Sequence, residues 1–292
     1  MREASPVRTR VSGDVGIVIV NWNGERYLEP CLRSIYGSAP IVVVDNASVD
    51  GSVALVRAHF PDVICIQNDR NIGFSAANNV GARACPGDYL LFLNNDTIVV
   101  DDAVPAMRRA LSSDQRVAIV GARLETPDGR PQAGSIDQVP SLTSEIRNTL
   151  GLEPAPRRAR GAGFDYNSSR YVSTVCGAAL MIRRSVLDVV GGWPEEYFAY
   201  AEDADLCRRV LDRGYRVWFE SSARVVHVHG GSGRVRGSGR LVAAYLISYG
   251  SVNRYIRRYE GVVAALVHAA LFPVDVVARS IRRLVRRTRR SA

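Results

Sequence analysis

YLLFLNNDTIVV, residues 89–100, is an apolar run broken only by Asn94, Asn95 and Asp96. It has the character of a buried strand that stops at three polar groups, and it is the fourth of its kind. VGIVIVN (15–21), IVVVDN (41–46) and VICIQN (63–68) precede it. Helix-like stretches separate the four, at about 25–35, from a cap at Ser48 or Asp50 through His59, and from about Phe74 to Ala84. Strands that are apolar throughout and alternate with helices predict a parallel sheet covered on both faces. In such sheets ligands sit beyond the carboxyl ends of the strands. Here those ends read Asn21-Trp22-Asn23, Asp45-Asn46, Asn68-Asp69-Arg70-Asn71 and Asn94-Asn95-Asp96. Turn chemistry accounts for any one of them, because Asn and Asp cap helices and tolerate tight turns. Four together on one edge point to a site.

The chain of 292 residues is long enough for one substantial core with appendages. All 38 basic residues are arginine, and the formal net charge of +9 favours polyanionic partners: nucleic acid, anionic headgroups or phosphorylated substrates. Cys31, Cys65, Cys85, Cys176 and Cys207 show no CxxC spacing and are read as reduced core thiols, not a disulfide framework. The start, MREASPVRTRVSGD, has no apolar stretch of signal-peptide type, so residues 1–13 are expected to be a flexible leader. A phosphate-loop nucleotidase is excluded by the lack of GxxxxGK[ST].

Beyond the fourth strand, residues 127–165 are rich in Pro, Gly and Arg and predict a long loop or lid with a short helix near Thr143 to Leu150. YVSTVCGAALMI (171–182) is expected to be a strand pair, followed by a helix from Arg184. A helix from Glu202 to Arg213 is stopped by Gly214, and YRVWFE and RVVHVH are two further strands. Three clusters carry chemistry. A carboxylate such as Asp96 at the end of a buried strand is costly unless paired or metal-bound, so it either ligates a divalent cation or caps a helix starting near Asp101 or Asp102. Glu202, Asp203 and Asp205 crowd a helix N-terminus, where the dipole favours them, and capping suffices for Asp205. Tyr197, Phe198 and Tyr200 just before them form an aromatic wall, a setting that can raise a carboxylate's pKa and make a general base. His227 and His229 share one face of a strand and serve either packing or a metal or phosphate.

IVIVNWNG, IVVVDNASVDGS, NIGFSAANNVGAR, LLFLNNDTIV, CGAALMIRRSVLDVVGGW, YFAYAEDADLCRRVLDRGY and VVHVHGGS, in this order, resemble a family 2 glycosyltransferase with the GT-A fold, in its rhamnosyltransferase-like branch. The likeness covers about residues 14–235. It implies an α/β fold with a Rossmann-like, mostly parallel sheet flanked by helices, and inverting transfer of a sugar from a nucleotide-diphosphate donor to an acceptor hydroxyl. In this resemblance Val20, Asn23, Asp45, Asn71, Gly73, Asn79, Asn94 and Asn95 bind the nucleotide sugar. Asp96 stands in the family's Asp-x-Asp position and would hold Mg²⁺ or Mn²⁺, with His227 as a further ligand. Asp203 matches the carboxylate that takes the acceptor proton, Glu202 orients it or the acceptor, and Trp193 and Tyr200 meet the acceptor. Asn94 departs from the first Asp of that motif, and Pro194 stands where an Asp commonly follows the Gly-Gly-aromatic turn.

Residues 14–238 are thus expected to form the transferase domain and 239–292 a helical membrane-associating region. Residues 261–278 are apolar but shorter than a comfortable bilayer span. From Val274 onward arginines recur at helical spacing opposite apolar positions, which describes either a basic amphipathic helix on an anionic membrane or a solvated charge run. Nucleic acid is not an expected partner, since no recognition motif or interleaved aromatics accompany the arginines. The expected place is the cytoplasmic face of the cell membrane and the expected acceptor a lipid-linked glycan. On the resemblance, L-rhamnose from dTDP-rhamnose is the leading donor, with galactofuranosyl, glucosyl or N-acetylhexosaminyl transfer as alternatives. A catalytically silent nucleotide-sugar scaffold is the rival from another class.

Overall fold

A computed structural model of the chain describes residues 14–132, 136, 139–152, 164–228 and 238–278. The leader, His229 and the arginine-rich stretch 279–292 lie outside them. The first half follows the expected alternation: β1 (Val15–Asn21), α1 (Glu25–Ile35), β2 (Ile41–Asp45), α2 (Ser52–His59), β3 (Ile64–Gln67), α3 (Phe74–Ala84) and β4 (Tyr89–Asn94). Then come β5 (Thr97–Val99), α4 (Ala103–Ser113), β6 (Val117–Glu125), α5 (Leu142–Leu150), β7 (Arg170–Val172), β8 (Ala179–Arg183) and α6 (Arg184–Val189). The last elements are α7 (Glu202–Asp212), β9 (Arg216–His227), α8 (Ser238–Tyr259) and α9 (Val262–Ala270).

Among the described residues the strands form one mixed sheet in the order β3-β2-β1-β4-β8-β6-β9-β5, with β7 also on β9. β3, β2, β1 and β4 are parallel, so their carboxyl ends share one edge. Strand alternation sends Val15, Ile17 and Ile19 into a core with α1, α2 and α4, while Val18 faces a second core with α3, α6 and α7. On α3, Gly81 is needed because a Cβ there would collide with the Val18 side chain. The close approach of α3 to β1 fixes where the loop before α3 meets the strand ends.

Four expectations change. β3 is not buried on both faces: it is the edge strand, and Ile64 is half exposed. YRVWFE and RVVHVH are one strand, β9, parallel to β6 throughout, with a register shift where Ala122 and Arg123 face Glu220 and Arg224. The polar ESSA that looks like a turn is that irregularity. β7 and β8 do not pair, since β7 lies on β9 and β8 inserts antiparallel between β4 and β6. Asp96 does not cap α4, which begins after Asp102, but sits in the turn between β4 and β5.

Candidate active site

The strand edge is knitted by amides. Register sets Asn21 beside Asp45, and Asn21 Nδ2 donates to Asp45 Oδ2 at 2.9 Å and to Ser48 Oγ at 3.2 Å. The other Asp45 oxygen accepts Ser48 N–H at 2.8 Å. Asn23, left-handed at φ +50°, donates its N–H to Ser48 Oγ and accepts from Val49 N, both at 2.8 Å. Asn95 Nδ2 donates to Asn21 Oδ1 at 2.6 Å, and a side chain at Gly24 would collide with both amides. Asp45 and Asn95 are buried in this network, which fixes the turns after β1 and β2. Val20 pairs in register with Asn94, and Asn71 Oδ1 accepts Gly73 N–H at 2.9 Å. Gly73 has φ +88°, and a Cβ there would lie 2.8 Å from the carbonyl oxygen of Phe198. What approaches Gly73 is therefore the 194–201 loop.

Asp96 and His227 meet because β5 pairs antiparallel with β9, setting Thr97 opposite His227. Both are buried, and His227 Nε2 lies 3.3 Å from Asp96 Oδ1 and 3.4 Å from the Asn94 amide nitrogen. His227 Nδ1 is 2.9 Å from Gln132 Oε1. A carbonyl oxygen only accepts, so with the amide so turned Nδ1 carries the proton and the Nε2 lone pair faces Asp96. Two lone-pair atoms at that separation fit a shared cation, with a hydrogen-bonded second nitrogen fixing the ring as in metal-ligating histidines. No group of three or more His, Cys, Asp or Glu side chains able to hold a metal occurs among the described residues. The pair therefore suits Mg²⁺ or Mn²⁺ that completes its coordination with substrate phosphates and water.

The second acid cluster opens α7, after Tyr200 and Ala201 in left-handed conformation. Asp203 is half-buried, its Oδ1 accepting from Ala204 N at 2.8 Å and its Oδ2 from Gly177 N at 3.2 Å. Glu202 is buried without a hydrogen bond to Oε2, and burial, then the Asp203 charge, push its pKa up to about 8. At neutral pH Glu202 is thus mostly protonated, and Asp203 is the more accessible carboxylate of the two. Asp205 is fully buried, and in place of a capping role its carboxylate holds Tyr197 OH at 2.9 Å and Arg209 at 2.8 Å.

The short segment Cys176-Gly177-Ala178 ties the two halves together. Ala178 O accepts Asn94 N–H at 3.0 Å, while the next residue back, Gly177, donates to Asp203. The Cys176 thiol, raised by burial first, also feels the charges of Asp203, Glu202 and Asp96. The end of β4, next to Asp96, and the Asp203 carboxylate are therefore held by one short segment. Sequence reasoning placed Cys176 in the core and missed Gln132. The apolar setting hid the first, and a separation of 95 residues in sequence from His227 hid the second.

Two expected site residues lie elsewhere. Asn79, in the second turn of α3, donates to Trp193 O and Glu195 Oε1, each at 2.9 Å, and accepts Trp193 N–H at 2.8 Å. Its amide is spent on the Gly-Gly-Trp turn. Trp193 is 1% exposed and packs edge-on against Phe74 and Phe92, so it offers no face to an acceptor. Asn95 likewise acts through Asn21, as described above. Tyr200 and Phe198, just before the acids in sequence, are exposed.

The model of glycosyl transferase family 2 matches residues 16–191. The N-acetylglucosaminyl-diphospho-decaprenol L-rhamnosyltransferase of Mycobacterium tuberculosis is 27% identical over 240 residues, 77% of this chain and 76% of that protein. Among solved structures, a mannosyltransferase from Pyrobaculum calidifontis in complex with GDP-Man and Mn²⁺ superposes with TM-score 0.60 at 16% identity, covering 96% of this chain and 78% of that one. GalNAc-T7, solved with UDP, GalNAc and Mn²⁺, gives TM-score 0.62 at 15% identity, covering 83% of this chain and 47% of that one. With the strand-edge site and this match across most of the sheet, the chain belongs to glycosyl transferase family 2 and has the GT-A fold.

Proposed function

We propose that the protein is a metal-dependent, inverting glycosyltransferase that moves L-rhamnose from dTDP-L-rhamnose to a hydroxyl of a lipid-linked saccharide at the cytoplasmic membrane face. The donor and acceptor classes are supported by the likeness to the M. tuberculosis rhamnosyltransferase. The observation that carries the mechanism is the Cys176-Gly177-Ala178 bridge, which holds Asp203 across from the end of β4. Asp96 and His227 would hold Mg²⁺ or Mn²⁺, which when bound neutralises charge on the leaving diphosphate. Asp203 accepts the proton of the acceptor hydroxyl while its oxygen forms the new bond to the anomeric carbon. The bond from that carbon to the diphosphate breaks on the opposite face, and the nucleoside diphosphate leaves with the electron pair. Protonated Glu202 adds no second negative charge beside the base. The turn of Asn21, Asn23, Asp45 and Ser48 presents the nucleoside side, and Asn71 and Gly73 shape the loop next to it.

The test is release of dTDP from dTDP-L-rhamnose with polyprenyl-diphosphate N-acetylglucosamine and Mn²⁺, followed by mass spectrometry of the lipid product. Addition of one deoxyhexose is expected. Donor binding without transfer, from this or any other nucleotide sugar, would leave the silent scaffold as the better account.

A further inference from the structure

The C-terminal helices present a surface that the transfer chemistry does not use. Residues 261–278 hold only two titratable side chains, His268 and Asp275, and both are buried. Tyr249 stacks on the His268 ring at 4.2 Å, and Tyr245 donates to Asp275 at 2.5 Å. The outward face of this stretch therefore carries no charge, in a chain whose residues are 23% charged. Val262, Val263, Leu266 and Val267 lie on one side of α9, and Val274 and Val277 follow. All six are exposed, Val263 by 75% and Leu266 by 64%. A contiguous exposed apolar face of this kind marks a contact surface. No helix among the described residues is long and apolar enough to cross a membrane.

We propose that this face rests on an anionic phospholipid bilayer, with α9 and residues 274–277 set into the headgroup layer. Charge complementarity selects that occupant. The sequence directly after the face places seven arginines in positions 279–292, which attract lipid phosphates. Two copies of a chain with net charge +9 would instead bring those arginines together.

The inference rests on the lipid-linked acceptor proposed above and adds how that acceptor meets the base. α8 packs against α9 through Tyr249 and against the residues after α9 through Tyr245, and its middle holds the loop before α7. Ser251 Oγ donates to Ala199 O at 2.8 Å, and Tyr255 packs on Tyr197 and Ala204. α8 runs antiparallel alongside the docked helix, with Tyr249 against His268 and Asn253 against Ala265, so docking lays α8 along the bilayer surface together with the loop that leads into Asp203.

The experiment is co-sedimentation of the full chain with phosphatidylcholine vesicles, with and without phosphatidylglycerol. Wild type should bind only the anionic vesicles. Val263→Asp with Leu266→Asp should weaken binding by at least about tenfold, since each change puts a charge where an apolar side chain entered the layer. Both positions are exposed, so the Tm and the Tm rise given by dTDP-L-rhamnose with Mn²⁺ should stay at wild-type values. Undiminished vesicle binding by the double variant would overturn the proposal. So would a wild-type dimer that the variant dissociates while neither binds vesicles, because the face would then join two copies of the chain. Vesicle binding that depends on Val263 and Leu266 without any donor-dependent Tm rise would sink the transferase reading alone and leave this surface standing.

Discussion

Glu202→Gln is expected to remove a pH-dependent loss of stability. The wild-type side chain is buried, one carboxylate oxygen makes no hydrogen bond, and Asp203 is its neighbour. Burial first and the Asp203 charge second lift its pKa from 4.5 to about 8. Between those values the folded protein keeps a proton that the unfolded chain has released, so stability falls as pH rises. The contribution is whole below the unfolded value and lost once pH passes the folded one. One proton corresponds to about 1.4 kcal/mol per pH unit, so the loss is roughly 3 kcal/mol by pH 7 and approaches roughly 5 kcal/mol at the top of the window. Glutamine has no proton to lose. Urea unfolding from about pH 5 to about pH 9 should find the two proteins alike at the acid end and the variant several kcal/mol more stable at the alkaline end. Taking the difference between them cancels the other titrating groups. Parallel curves would mean that Glu202 is ionised in the folded protein at neutral pH, and that its burial does not hold the proton.

Asp203→Asn should lower kcat by about 10²- to 10⁴-fold while the donor still raises the Tm, and a variant within tenfold of wild type would move the base elsewhere. Gln132→Leu should weaken Mn²⁺ binding about 10- to 100-fold in an electron paramagnetic resonance titration with little change of Tm in chelator, and unchanged affinity would remove Gln132 as the positioning residue of His227. Trp193→Ala should cost about 3–5 kcal/mol in urea unfolding, as a buried aromatic does. Tyr200→Ala should leave stability within about 0.5 kcal/mol yet raise the acceptor KM, and the opposite pattern would exchange their roles.

The parallel half of the fold was legible because its strands are continuous apolar runs of the right length and its helices lie between them. Strand polarity then brought Asn21, Asp45 and Asn94 to one edge, since parallel register aligns the residues that end each run. The second half was harder for a physical reason: β8 runs against its neighbours, and β9 crosses a register irregularity whose polar residues imitate a turn. Side-chain type did not separate ligand from strut. Asn79 and Asn95 look alike in sequence to the amides of a binding site, but both spend their hydrogen bonds on other parts of the chain. Trp193 could have been an acceptor platform until Phe74 and Phe92 closed over it. Gln132 sits in a Pro- and Gly-rich stretch with no periodicity, and it reaches His227 because the turn after β6 folds it back onto Leu124 while β6 pairs with β9.

If Asp96 and His227 hold the cation, a nucleotide sugar and a divalent metal bind together at the strand edge. Thermal unfolding of wild type and Asp96→Asn against a panel of nucleotide sugars, with Mn²⁺ or with chelator, measures that joint binding. One donor should raise the wild-type Tm only when Mn²⁺ is present, and Asp96→Asn should lose the rise. A donor that stabilises both proteins equally in chelator would mean that Asp96 holds no metal for the donor.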